Sequence, residues 1–218
     1  GVILKEVNEP KYLTKPIISI IDNTPLPHQL INLALWISSY YLSPLATTLQ
    51  AILPSGIQKK RRPNLNHTEI AKRERTNILF NYEQAASLKI LSEHKPGTFL
   101  LHGITGSGKT EVYIELAKQS INSGRSVIVL VPEIALTSQL IAEFSNHFEN
   151  LLTTHSKMTE SERHQVWLEA LHSQEPRIVI GPRSALFMPL SDIGVIIVDE
   201  AHEPSYKQEQ APKYSALR

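Results

Sequence analysis

Two groups of residues in this chain have the types and the spacing needed for phosphate chemistry. The first is the stretch 103–110, which fits the pattern G-x-x-x-x-G-K-[ST] of loops that cradle nucleotide phosphates. Such a loop needs glycine because its backbone N–H groups must approach the phosphates closely, where a side chain would collide. We therefore expect a nucleotide to be bound by eight residues: Gly103, Ile104, Thr105, Gly106, Ser107, Gly108, Lys109 and Thr110.

Two residues of this loop have separate expected tasks. The Lys109 ammonium would reach the β- and γ-phosphates, and the Thr110 hydroxyl would help to hold Mg²⁺. The alternative is a plain surface turn rich in Gly, Ser and Thr. A strand before the loop and a helix after it favour the nucleotide site, and residues 98–101 and 109–120 have the apolar patterns of a buried strand and a helix.

The second group is an acidic pair near the end of the chain. Asp199 and Glu200 follow the apolar run 195–198, so they would lie at the carboxyl end of a strand, on the same edge as the phosphate loop. Asp199 would hold Mg²⁺, and Glu200 would act as general base on the attacking water. An acidic pair can also merely cap a helix. Together with the upstream loop, the pair predicts that a bound nucleotide is hydrolysed.

Strands and helices are predicted to alternate from residue 78 onward. Apolar runs indicate strands at 98–101, 127–131, 151–154, 178–180 and 195–198. Helical spacing or capping residues indicate helices at 80–92, with Ala85, Leu88 and Leu91 inward, and at 109–124, 137–148 and 159–173. This alternation predicts an α/β fold with a parallel, doubly wound sheet.

The first 57 residues have a different pattern. Residues 1–7 and 16–21 have the composition of strands, but they are too few for a sheet, so we expect them to complete another domain. Residues 27–42 and 45–52 predict two short helices, which form either a helical hairpin or part of a winged-helix module. The neighbouring Tyr40 and Tyr41 are suited either to core packing or to stacking on nucleic-acid bases.

Residues 58–77 are polar and are predicted to be an exposed linker. The linker begins with the basic run 59–62, which either contacts phosphates or is simply solvated. The whole chain has a formal net charge of +1 and no cysteine, which excludes disulfides and thiolate metal sites. It has no signal peptide or apolar run long enough for a membrane span, and we expect a cytoplasmic protein. Because it starts without Met, we expect it to be an excised segment.

Four motifs occur in an order that resembles a known family of enzymes. They are 103–113, 130–137, 180–187 and 199–208, the last leading into 212–216. The series resembles lobe 1 of the DExH-type helicases with two RecA-like lobes, and more narrowly the PriA (primosomal protein N′) family of replication-restart helicases. The stretches 35–41 and 53–54 are similar to the winged-helix domain of that family.

The resemblance implies a domain organisation for the whole chain. Residues 1–21 would be the C-terminal remnant of a DNA-binding domain, and 22–57 a small winged-helix-like domain. After the linker, 78–218 would form an incomplete RecA-like P-loop lobe that binds ATP. Two positions depart from the usual pattern of the family: Ala201 stands where Glu is usual, and Pro182 where Thr is more usual. Neither changes the residues expected to act on phosphate.

The resemblance also implies roles for individual residues. His202 would join Lys109, Asp199 and Glu200 in the catalytic set, and Gln84 would recognise adenine, although by itself it resembles an ordinary surface glutamine. DNA would contact seven residues: Pro132, Glu133, Arg183, Ser184, Tyr206, Lys207 and Tyr214. The tyrosine rings would stack on bases. For Arg183, an intramolecular ion pair is an equal alternative.

The function implied by the resemblance is an ATP-dependent 3′→5′ DNA helicase that recognises stalled or branched replication forks and restarts replication through primosome assembly. The implied cofactors are ATP and Mg²⁺. The implied partners are forked and single-stranded DNA, single-stranded DNA-binding protein and other primosome proteins, with no membrane. Zinc would bind a region of the full-length family protein, whereas this chain has no zinc ligands. The arginine finger and second lobe would lie beyond Arg218, so we expect this chain alone not to unwind DNA.

Three other functions remain open at this point. The first is another DExH-type nucleic-acid translocase. It also fits a non-helicase P-loop ATPase, although it lacks both the signature of ABC ATPases and the N-K-x-D motif by which GTPases read guanine. The third alternative is a DNA-binding module in which the helical segment acts and the α/β part is inert.

Overall fold

The computed structural model describes residues 2–4, 8, 12–54, 56–57, 79–132, 138–149 and 151–218. The helices in these ranges are α1 (His28–Tyr40), α2 (Leu45–Ile52), α3 (Tyr82–Glu93), α4 (Lys109–Asn122), α5 (Ser138–Ser145) and α6 (Glu160–His172). The strands are β1 (Ser126–Leu130), β2 (Leu151–Thr153), β3 (Ile178–Gly181) and β4 (Ile193–Val198). Short 3₁₀ helices follow β3, at Arg183–Phe187, and β4, at Pro204–Tyr206.

The four strands form one parallel sheet in the order β2-β3-β1-β4. Every residue of β1 is buried, as expected for a central strand covered on both faces. Alternate residues of β1 point to opposite sides: Ile128 packs in a cluster with residues of α6, whereas Val129 packs with residues of α4 and α5. The predicted α/β fold with helices on both faces of a parallel sheet is therefore confirmed.

The strand predicted at 98–101 is wrong, because these residues form no ladder with any strand in the described part of the chain. Leu100 is 85% exposed and Phe99 is 42% exposed. An apolar run becomes a buried strand only where a neighbouring strand pairs with its backbone. Strand β4 lies at the edge of the sheet, and residues 98–101 do not pair with it. The run shows no such pairing, although the phosphate loop and its helix form as expected.

The strand predicted at 16–21 is also wrong, since this segment has no regular secondary structure and Ile18 is 97% exposed. Of the segment 1–7, residues 2–4 are described and have no strand structure, and the others lie outside the described residues. Both results fit the expectation that these apolar runs have too few partners to form a sheet here. The predicted linker at 58–77 lies entirely outside the described residues.

Helices α1 and α2 form a hairpin that packs on the α/β lobe. Leu30, Ala34 and Ile37 of α1 are buried in a cluster with Phe187 and Tyr214 of the lobe. Of the two tyrosines that end α1, Tyr40 is half exposed and stacks on the Trp36 ring, whereas the Tyr41 hydroxyl accepts a hydrogen bond of 3.1 Å from the backbone of Ser215. The described residues of 22–57 contain these two helices and no strand, and the winged-helix-like domain stays a prediction.

Side-chain caps begin two of the helices in the lobe. Thr159 and Glu162 form both hydrogen bonds of the predicted capping box of α6. Asn81 and Gln84 form a second capping box on α3, where Leu88 is buried as predicted and Ala85 is exposed, contrary to expectation. None of the helices in the described ranges is long and apolar enough to cross a membrane.

Candidate active site

The loop 103–110 has the backbone that a phosphate cradle requires. Gly106 and Gly108 both have φ of +79°, a region that glycine adopts without steric cost. A Cβ at Gly103 would lie 2.6 Å from the Ser107 hydroxyl oxygen, and one at Gly108 would collide with the side-chain amide of Gln84. Gly108 is the N-cap of α4, so the first backbone N–H groups of that helix are directed at the cradle.

Lys109 is held over the loop by its own backbone. Its Nζ donates to the carbonyl of Gly103 at 2.9 Å and to that of Ile104 at 3.1 Å. The helix that begins with Lys109 also reaches the acidic pair, because the Tyr113 hydroxyl on α4 donates a hydrogen bond to Asp199. The catalytic partnership of Lys109 and Asp199 stays a prediction.

Asp199 is fixed at the carboxyl end of β4 by contacts on its backbone and on its side chain. Its N–H donates to the Leu130 carbonyl at 2.9 Å, and its Oδ1 accepts a hydrogen bond of 3.3 Å from the Tyr113 hydroxyl. The Tyr206 hydroxyl lies 2.5 Å from the Asp199 carbonyl oxygen and 3.1 Å from that of Leu130. Burial and the nearby charge of Glu200 raise the pKa of Asp199, although the hydrogen bond from Tyr113 opposes them.

Neither Tyr113 nor Tyr206 was assigned by the sequence to the support of Asp199. Tyr113 follows Thr110 by three residues and therefore lies on the same face of α4. That spacing is the one available signal in the sequence. It does not distinguish a tyrosine directed at the site from one that only packs in the core, and the Tyr113 ring is in fact buried in the core. Tyr206 carries no spacing signal at all.

Glu200 and His202 form the rest of the acidic motif. Glu200 has φ of +46°, a left-handed conformation that costs a non-glycine residue about 1–3 kcal/mol and is concentrated at functional sites. The turn is closed by a 2.9 Å hydrogen bond from the Glu203 N–H to the Glu200 carbonyl. The His202 ring is largely exposed, with Nδ1 3.5 Å from a carboxylate oxygen of Glu200 and Nε2 3.9 Å from one of Glu203. The predicted neighbours Glu200 and His202 are thus in contact.

The residues at this edge fit Mg²⁺ and a bound nucleotide. Thr110 lies in the first turn of the helix that the loop caps, and Asp199 supplies a carboxylate, so both offer the hard oxygen ligands that Mg²⁺ prefers. The described residues contain no group of three or more His, Cys, Asp or Glu that could hold a metal ion alone. Mg²⁺ is usually bound through one or two protein oxygens together with phosphates and water.

Gln84 is tied to the phosphate loop. Its Oε1 accepts from the Asn81 N–H at 2.9 Å, and its Nε2 donates to the carbonyl of Gly108 at 3.1 Å, with that of Ser107 at 3.4 Å. Gln84 is therefore not an isolated surface glutamine, because its amide joins the start of α3 to the end of the loop. Adenine recognition by Gln84 stays a prediction.

Five of the seven residues predicted to contact DNA lie close together: Arg183, next to Ser184, is hydrogen-bonded on either side of Tyr206 and Lys207, and the Tyr214 carbonyl accepts from the Gln208 N–H. Ser184 and Lys207 are exposed, Pro132 is buried, and Glu133 lies outside the described residues. Arg183 makes hydrogen bonds inside the protein: its Nε donates to the Gln208 side chain and its guanidinium to the Ser205 carbonyl, each at 2.8 Å. Arg183 therefore has intramolecular partners, but they are neutral, and the predicted ion pair is not observed among the described residues.

The prediction that Tyr206 and Tyr214 stack on bases is corrected by their burial, since their exposures are 1% and 4%. Tyr206 lies in the core cluster beside Leu130, and the Tyr214 ring packs edge-to-face on Phe187 with centroids 4.9 Å apart. An aromatic residue in a loop anchors the loop when an apolar surface lies beneath it, and the sequence does not show that surface. These two rings fasten the segment 204–216, which we call the strap, to the lobe.

Comparison with known proteins places the two parts of the chain in two domain families. Residues 76–217 match the family model described as type III restriction enzyme, res subunit. Residues 1–54 match the model of the PriA 3′ DNA-binding domain.

Several similar proteins carry the name replication restart protein PriA. The protein from Helicobacter pylori J99 is 40% identical over 220 residues, which cover 99% of this chain and 33% of the relative. The protein from Treponema pallidum is 36% identical over a region that covers 93% of this chain and 31% of the relative. The protein from Bacillus subtilis 168 is 46% identical over a region that covers 57% of this chain and 15% of the relative. The chain thus spans about a third of the length of the Helicobacter relative.

Proposed function

Because the chain belongs to the helicase-type family of the type III restriction enzyme res subunit, and is a segment of the PriA replication-restart type, we propose that it carries the ATP-hydrolysing lobe of a 3′→5′ DNA helicase. The helicase would recognise stalled or branched replication forks and restart replication there. Its site of action would be the cytoplasm, with single-stranded DNA-binding protein and other primosome proteins as partners.

One observation carries the proposed hydrolysis of ATP. The hydrogen bond between the Tyr113 hydroxyl and Asp199 Oδ1 joins the helix of the phosphate loop to the acidic pair at the end of β4. The phosphate-binding residues and the acidic residues therefore share one edge of the sheet, where ligands bind in open α/β folds. A nucleotide-binding loop without an acidic pair beside it would support binding of a nucleotide but not its hydrolysis.

The catalytic roles follow from the contacts around this edge. Lys109 would exchange the carbonyls of Gly103 and Ile104 for oxygens of the β- and γ-phosphates, a charge-assisted interaction that is stronger than the one it replaces. Thr110 and Asp199 would hold Mg²⁺, which when bound neutralises charge on the phosphates.

Glu200 is the proposed general base. It would take a proton from water as the water oxygen bonds to the γ-phosphorus and the bond to the β-phosphate oxygen breaks, releasing ADP and phosphate. His202, 3.5 Å from the Glu200 carboxylate, would orient it.

DNA binding by the first part of the chain is supported by the match of residues 1–54 to a 3′ DNA-binding domain. Contacts of forked or single-stranded DNA with the lobe are proposed at the exposed Ser184 and Lys207. Further candidates are Pro132, two residues after β1, and Glu133, which lies outside the described residues. In the structure, Arg183 and the two strap tyrosines hold protein segments together, and we do not assign DNA contacts to them.

Unwinding polarity tests the proposed helicase. With the full-length protein, ATP and Mg²⁺, we expect a partial duplex with a 3′ single-stranded tail to be unwound and a duplex with only a 5′ tail to remain intact. Strand separation would be followed by gel or by fluorescence, with a non-hydrolysable ATP analogue as control. Preferential unwinding of the 5′-tailed duplex would contradict the proposed direction. ATP hydrolysis without unwinding of either substrate would favour a translocase or an ATPase that is not a helicase.

A further inference from the structure

We propose that Tyr113 and Tyr206 are positioning residues that hold Asp199 in the geometry needed to bind Mg²⁺ with the nucleotide. The inference rests on the proposed function of this edge as an ATP site. Neither tyrosine belongs to the residues expected to touch phosphate, water or metal. Each acts through Asp199, Tyr113 on its carboxylate and Tyr206 on its backbone.

Tyr113 controls the direction of the carboxylate. Its hydroxyl donates to Asp199 Oδ1 at 3.3 Å, so one oxygen has a fixed partner and the orientation of the carboxylate plane is restricted. Tyr113 lies one helical turn after Thr110 on α4. Through Tyr113, the Asp199 carboxylate is therefore linked to the turn of helix that carries the Thr110 hydroxyl, and these two groups are the proposed ligands of Mg²⁺.

Tyr206 controls the backbone that carries the carboxylate. Its buried hydroxyl lies 2.5 Å from the Asp199 carbonyl oxygen and 3.1 Å from the Leu130 carbonyl oxygen, so it spans the carboxyl ends of β4 and β1. The next residue, Glu200, has the left-handed φ of +46°, a conformation that persists only where its surroundings hold it. The Tyr206 hydroxyl, bonded to the Asp199 carbonyl, restrains the peptide that precedes Glu200.

The strap connects this support to the helical hairpin. Arg183 holds the strap through the Ser205 carbonyl and the Gln208 side chain, on either side of Tyr206. Farther along the strap, the Ser215 N–H donates to the Tyr41 hydroxyl at the end of α1. Asp199 is therefore supported by α4 on one side and by a segment anchored on the hairpin on the other.

The test measures how nucleotide binding depends on Mg²⁺ in the full-length protein. For Tyr113→Phe and for Tyr206→Phe, we expect the Mg²⁺ concentration at half-maximal binding of a fluorescent ADP analogue to rise about 10-fold. That value is the lower end of the loss in metal affinity that follows when a hydrogen-bond partner of a metal ligand is removed. Binding of the same analogue in EDTA should be unchanged. A residue with only a structural role would weaken both kinds of binding or lower the melting temperature without moving the Mg²⁺ midpoint.

Tyr12→Phe is the matched control, because Tyr12 is 75% exposed and lies in the part of the chain that matches the 3′ DNA-binding domain and not in the lobe, and its Mg²⁺ midpoint should equal that of the wild type. Titrations of both variants that coincide with the wild type would overturn the inference. ATP hydrolysis by Lys109→Ala, measured alongside these titrations, distinguishes failure of the positioning role from failure of the proposed ATP site. If Lys109→Ala removes ATP hydrolysis while the tyrosine variants show no Mg²⁺ shift, only the positioning role fails; if hydrolysis persists in Lys109→Ala, the proposed ATP site itself fails.

Discussion

A Lys109→Ala substitution in the full-length protein is expected to abolish DNA-stimulated ATP hydrolysis, lowering turnover by at least about 10²- to 10³-fold, the loss typical of one preorganised donor to transition-state charge. The reason is that the Lys109 ammonium lies at the cradle, 2.9 Å from the Gly103 carbonyl, where the β- and γ-phosphates would bind. Binding to forked DNA should survive, because it is attributed to other parts of the protein. Turnover is measured with and without forked DNA, and affinity by fluorescence anisotropy.

Lys118→Ala is the matched control for this variant. Lys118 lies on the same helix, two turns farther along, so its substitution removes the same charge from α4 without reaching the cradle. The control should hydrolyse ATP at nearly the wild-type rate. If stimulated hydrolysis persists in Lys109→Ala, the assignment of the phosphate loop is wrong.

A Glu200→Gln substitution is expected to separate binding of ATP from its hydrolysis. Glutamine keeps the size and hydrogen-bonding shape of the side chain but removes the base, so single-turnover hydrolysis should fall by about 10²- to 10⁴-fold. ATP affinity should stay close to that of the wild type, because Glu200 is not among the residues expected to bind the phosphates. Rapid-quench hydrolysis and equilibrium nucleotide binding, measured on the same preparation, report the two quantities.

Glu209→Gln provides the comparison for Glu200→Gln. Glu209 is an exposed residue of the strap and lies outside the acidic motif, so its variant loses the same charge without losing the proposed base. Equal hydrolysis rates in the two variants would exclude Glu200 as general base. A loss of ATP affinity that parallels the loss of rate in Glu200→Gln would indicate a disturbed site, since the left-handed backbone of Glu200 is sensitive to its surroundings.

The parts of the site that could be predicted from the sequence are those determined by a residue's own conformation or by residues close to it in the chain. Glycines at 106 and 108 are required by the positive φ of the loop, and this requirement appears directly in residue type. The buried strand β1 is evident from its unbroken apolar run, and the start of α6 from its Thr159–Glu162 capping box. Asp199 and Glu200 follow a second apolar strand, so the edge at which they lie follows from the parallel topology.

The parts that could not be predicted depend on partners distant in sequence. The apolar run 98–101 satisfies the same pattern as β1, but a strand also needs a neighbour to pair with, and the pattern does not report one. Tyr206 and Tyr214 were interpreted as stacking rings because they lie in a polar segment, whereas surfaces contributed by β1 and by Phe187 bury them. Arg183 likewise has its partners 22 and 25 residues away, at Ser205 and Gln208.

The coupling of this site to DNA is measured most directly by the ATP hydrolysis rate of the full-length protein with and without forked DNA. The site combines a phosphate loop, an acidic pair and a strap, in a chain whose first 54 residues match a 3′ DNA-binding domain. We expect slow hydrolysis without DNA and a rise of at least about tenfold on addition of the fork, which corresponds to about 1.4 kcal/mol of activation free energy. A rate that is the same with and without forked DNA would contradict the proposal that hydrolysis at Lys109, Asp199 and Glu200 drives work on DNA.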